Sequence, residues 1–83
     1  MGNDSYKYDP NDYVNISMLS EDLELFFNLH RKYLNDKSFE NHAFMEKQGI
    51  DLFFTIKHRA LEGAITAEFA NSLREYMREL LDD

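Results

Sequence analysis

The stretch TAEFANSLREYMRELLD, from Thr66 to Asp82, decides the fold. At about 100° per residue of an α-helix, Phe69, Ala70, Leu73, Tyr76, Met77, Leu80 and Leu81 gather on one side. Glu68, Glu75, Glu79 and Asp82 fall within an arc of roughly 60° on the other. A helix patterned in this way docks its apolar side on a core and shows its carboxylates to solvent or to a partner.

The residues just before it, Gly63-Ala64-Ile65-Thr66, predict a tight joint. Glycine takes positive φ at the end of one helix, threonine caps the next, and Ile65 sits where it packs back onto the new helix. Such a joint makes consecutive helices antiparallel. Upstream, residues 50–62 place Leu52, Phe53, Phe54, Ile56, Ala60 and Leu61 on one broad face, with Thr55, His58 and Glu62 opposite. No second strand pattern exists to pair with the run Leu52–Ile56, so a helix is expected there.

Residues 38–48 open with Ser38 as a cap, but Phe39, Ala43, Phe44 and Met45 do not collect on one face. Gly49 reads either as a break or kink, with Asp51 starting the next helix, or as a tolerated glycine inside one long helix to Glu62. The favourable charge of Asp51 at a helix start favours the break. The first long helix is expected from about Met18 to Asn35, with Ser17 or Ser20 as N-cap. Glu21, Asp22 and Glu24 at its start and Arg31, Lys32 and Lys37 at its end match the helix dipole. Its apolar residues, Leu23 to Leu34, cover an arc of about 200°, wider than an ordinary surface helix needs. Leu25, Leu29 and Tyr33 therefore call for a second neighbour, in a homodimer or in a complex with another protein. Residues 1–16, with the only proline and three tyrosines among aspartates, read as a flexible acidic arm with enough apolar surface to dock; residues 17–83 form the helical domain.

With 83 residues and no cysteine, the chain is one domain without disulfides or thiolate metal ligands. Seven Phe and five Tyr must supply most of the core. The expected core comprises Leu23, Phe26, Phe27, Leu34, Phe53, Phe54, Leu61, Phe69, Leu73, Met77 and Leu80. No apolar run approaches the roughly 20 residues of a membrane span, and the polar amino terminus lacks the pattern of a secretory signal. A soluble, cytoplasmic protein is expected. The net charge of −7 lies at the ends: residues 1–24 hold six acids against Lys7, and residues 68–83 hold five acids against two arginines. That argues against direct nucleic-acid or anionic-lipid binding, and favours a partner protein with a basic surface.

Candidate chemistry is sparse. His30 falls within the apolar arc of the first long helix and reads as a core histidine. His42 with Glu46, and His58 with Glu62, are spaced i, i+4, so two such half-sites on antiparallel helices could hold a metal. Di-iron bundles, however, use Glu-x-x-His with further inward glutamates, which this chain lacks, and His58 and Glu62 lie on a polar face. No metal and no cofactor are expected. No nucleophile stands in a recognisable setting and no glycine-rich loop could hold phosphate, so no enzyme is expected.

These observations predict an all-α fold, a small antiparallel bundle of three to four short helices behind the N-terminal arm. The function they point to is a non-enzymatic protein-binding module, an inhibitor or regulator acting by steric occlusion. Glu68, Glu75, Glu79 and Asp82 would orient the partner, with Leu25, Leu29 and Tyr33 as apolar anchors. Two alternatives stay open: a nucleic-acid mimic that blocks a DNA- or RNA-binding protein, and a structural homo-oligomer whose acidic ridge is only solvated.

Overall fold

The computed structural model describes residues 8–82. Four helices follow one another: α1 (Tyr13–Ser17), α2 (Ser20–Asn35), α3 (Phe39–Leu61) and α4 (Ala67–Leu81). The fold is the expected all-α bundle, and no strand occurs among the described residues.

Local chemistry sets most of the helix ends. The Ser38 hydroxyl accepts from the Asn41 amide at the start of α3, and the Thr66 hydroxyl accepts from the Phe69 amide at the start of α4. Each satisfies one of the backbone N–H groups that a helix leaves without an internal partner. Gly63 takes φ 77°, which lets the chain turn between α3 and α4. Ile65 is buried beside it, as its place before the cap requires.

The start of α2 differs from expectation. Leu19 occupies the N-cap and makes no side-chain hydrogen bond there. Ser20 is already helical, and the Ser17 hydroxyl donates to the Val14 carbonyl inside α1. Burial outweighs capping here: Leu19 is 3% exposed, so the core holds the residue that a polar cap would otherwise replace.

Gly49 does not break the chain. α3 runs for 23 residues through it. A Cβ at this position would lie 3.1 Å from the Phe26 ring and 3.3 Å from Leu81. The glycine is where α2 and the end of α4 both close on α3, and that packing outweighs its lower helix propensity, about 1 kcal/mol.

α2 and α4 both pack on α3. The interior is built from Leu23 and Phe26 of α2, Met45, Leu52 and Ile56 of α3, and Phe69, Ala70, Leu73 and Met77 of α4. Each fully buried large side chain among them contributes roughly 1.5–3 kcal/mol relative to exposure. The Tyr8 ring fills the groove between α2 and α4. It stacks on Tyr76 at 5.2 Å and meets Phe27 and Phe69 at 6.1 and 6.0 Å. Of the arm expected over residues 1–16, residues 1–7 lie outside the described residues. From Tyr8 onward the segment docks, and it ends in α1.

Three expected core residues are corrected. Leu34, Phe54 and Leu61 are 46%, 60% and 76% exposed. Each lies on its helix beyond the side that a neighbouring helix covers, so apolarity alone does not bury it. Phe27, Phe53 and Leu80 are half-buried at the rim of the core.

Candidate functional site

Among the described residues, no group of three or more His, Cys, Asp or Glu side chains could hold a metal. His42, Glu46 and His58 lie on one helix, α3, and Glu62 is its C-cap, so the two pairs are not on two antiparallel helices. The 16 residues from His42 to His58 correspond to about 24 Å of helix axis, too far for a shared ion. Glu62 pairs instead with Arg59, at 2.9 Å. His42 has a different task. Its Nε2 lies 3.1 Å from the Leu81 carbonyl, which can only accept, so this nitrogen donates. The bond satisfies one of the carbonyls left open at the end of α4. The same ring meets Tyr33 edge-on at 5.2 Å, tying α2, α3 and α4 together at one end.

His30 is corrected from core to rim. It is half-buried and lines an open groove of about 370 Å³ with Tyr8, Pro10, Phe27, Arg31 and Tyr76. Burial, with the nearby Tyr76, Asp9 and Asp12, raises the Tyr8 phenol above its ordinary value of 10.0. Tyr8 is thus a neutral packing ring at physiological pH.

The carboxylates expected on α4 are all at the surface. Glu68, Glu75, Glu79 and Asp82 are exposed. None has an ion-pair partner among the described residues. Tyr76, 36% exposed, stands beside Glu79 along the helix. At the other end, α1 carries Tyr13 and Val14, which are 70% and 75% exposed. α1 is tied to the start of α4 because the Asn15 amide oxygen accepts from the Thr66 N–H at 3.1 Å. The Asn15 side-chain N–H₂ donates to Asp12 in turn, at 2.9 Å.

The apolar anchors expected on α2 are not brought together at the surface. Tyr33 is buried and belongs to the core, and Leu29 is half-buried against it; only Leu25 stays exposed. The expectation fails at Tyr33 because His42 of α3 covers its ring.

The apolar surplus lies on α3 instead. Phe39, Ala43, Ile50, Phe54 and Leu61 are all exposed. They fall within an arc of about 60° at 100° per residue. This stripe points away from the buried line Met45–Gly49–Leu52–Ile56. Sequence reading missed it because the two stripes together look like one broad apolar face.

Between the stripe and α4 lies a second open groove, of about 280 Å³, lined by Ile50, Phe53, Phe54, Lys57, Arg74 and Arg78. The Arg78 guanidinium sits 5.8 Å from the centre of the Phe53 ring. The Arg74 Nε is buried without a hydrogen-bond partner. None of the three cations has a carboxylate partner among the described residues. A chain with a net charge of −7 thus presents a local basic groove beside an apolar stripe.

No known protein family, curated protein or solved structure matches this chain. Among the described residues, no helix is long and apolar enough to cross a membrane.

Proposed function

We propose that this protein is a small non-enzymatic binding module, an inhibitor or regulator that occludes a partner protein sterically in the cytoplasm. The partner-facing surface is the carboxylate ridge of α4, edged by Tyr76 and by the Tyr13–Val14 end of α1. One observation carries the reading. Four carboxylates stand in solvent on a single packed helix, and none is neutralised by a cation among the described residues.

Keeping like charges unpaired opposes the helix dipole near the C-terminus and sets Glu75 against Glu79 at i, i+4. A basic partner surface would relieve both costs, steering the encounter through charge and anchoring it through the aromatic edge. Arg74 and Arg78 interleave with the acids along α4, which weakens a reading as a nucleic-acid mimic, because a duplex offers an uninterrupted run of negative charge.

The test is a paired affinity capture from native cells with the wild-type chain and with E75K/E79K. The protein captured by the wild type should be lost with the variant, while far-UV circular dichroism of the two chains stays the same. Equal capture by both would remove the ridge from the function.

A further inference from the structure

We infer that the outward stripe of α3 is covered by a second copy of this chain, with the two α3 helices antiparallel about a two-fold axis near Leu52. This assignment concerns a different face from the α4 ridge and stands or falls independently of it.

The stripe is complementary to its own reverse. Reversing α3 about Leu52 sets Ala43 against the partner's Leu61 and Ile50 against the partner's Phe54, and the two-fold axis repeats both contacts. Four apolar layers result, all from residues that are exposed in the single chain. A two-fold interface of this kind uses the same patch on both subunits, which the stripe allows without a change of backbone. The uninterrupted 23-residue helix carries all of these residues on one element.

Charge fixes the direction. Glu46 and Lys57 both lie on the edge of the stripe that turns toward α4, and both are exposed. In an antiparallel pair like edges meet, and the register about Leu52 brings Glu46 to within one residue of the partner's Lys57. The carboxylate then enters the Lys57–Arg74 end of the partner's basic groove, where three cations have no carboxylate among the described residues. The contact forms twice. A parallel pair would bring opposite edges together and leave Glu46 about eleven residues along the helix from the partner's Lys57, so the contact would not form.

Sedimentation equilibrium over a concentration series tests this. The wild-type chain should pass from monomer to dimer as concentration rises. F54S, at a position 60% exposed in the single chain, should keep its helix content and stay monomeric. E46K and K57E should each weaken the dimer by about tenfold or more, as loss of a close interfacial charge pair does. Mixing E46K with K57E should restore a dimer containing one copy of each, because every Glu46–Lys57 contact is then again between opposite charges.

A wild-type chain that stays monomeric throughout, including one that takes up an acidic amphipathic peptide on the same stripe, overturns the inference. So does a dimer that tolerates F54S, or charge variants that fail to rescue one another while each remains folded.

Discussion

Along α3, Met45, Leu52 and Ile56 are fully buried, whereas Ile50, Phe54 and Leu61 are 50% to 76% exposed. Both sets are large and apolar, and they interleave within one helix. The difference is position. The inner line faces α2 and α4, and the outer line faces away from both, so transfer out of water rewards only the first. The lesson concerns small bundles in general: a helix apolar over most of its circumference says that it has several neighbours, not which of its sides they occupy.

The comparison breaks first if inner and outer substitutions cost the same. Phe69→Ala, which removes a fully buried ring facing the inner line of α3, is expected to cost about 3–5 kcal/mol in urea unfolding of the dilute chain. Phe54→Ala on the outer line should stay within about 0.5 kcal/mol under the same conditions. Similar losses for both would mean that the outer stripe is packed within the single chain.

Gly49→Val asks how tightly the inner side is closed. A Cβ alone already meets Phe26 at 3.1 Å, and Phe26 is fully buried in the core. Overpacking of about 1–3 kcal/mol is expected. Gly49→Ala should change stability much less, because its gain in helix propensity offsets part of the crowding. A valine variant as stable as wild type would show that the α2–α3–α4 contact is looser than its distances.

Between the two faces, the joints are expected to show intermediate effects. Asn15→Ala leaves the Thr66 N–H without its acceptor and should cost about 1–3 kcal/mol. Thr66→Ala removes only the cap to Phe69 and should cost about 1 kcal/mol. Thermal unfolding of the two variants side by side would rank them.

The smallest effect is at Tyr8, on the groove between α2 and α4. Its phenol is raised in the folded chain, so the unfolded chain gives up this proton first as pH increases. The stability tied to the neutral ring is fully present below the unfolded value near 10 and falls as pH rises from there through the folded value. Tyr8→Phe should flatten that alkaline loss in a urea–pH series while leaving stability at neutral pH nearly unchanged. The same slope in both chains would show that Tyr8 does not sense the fold.

How legible the molecule was depended on how local each cause is. The Ser38 and Thr66 caps and the Gly63 turn are interactions within about three residues, and their residue types announced them. The α4 ridge was equally plain, since four acids at helical spacing must share a face wherever the helix packs. The start of α2 misled because Leu19 is held by the core and not by a cap. The α2 anchors misled because Tyr33 is covered by His42, nine residues on and in another helix. The α3 stripe and its basic groove gave no separate signal, because Arg74 and Arg78 reach it only through the packing of α4 on α3.

By itself, then, the order of residues determined that the chain is helical, where most helices stop and start, and that α4 turns carboxylates outward. Backbone hydrogen bonds and caps connect near neighbours along the chain, so their causes are written in short words of sequence. Tertiary structure alone decided which side of α3 lies inside, why Gly49 must be small, where Tyr8 docks and what His42 holds. Each of those depends on the meeting of segments far apart in sequence, and a surface becomes buried or free only when they meet.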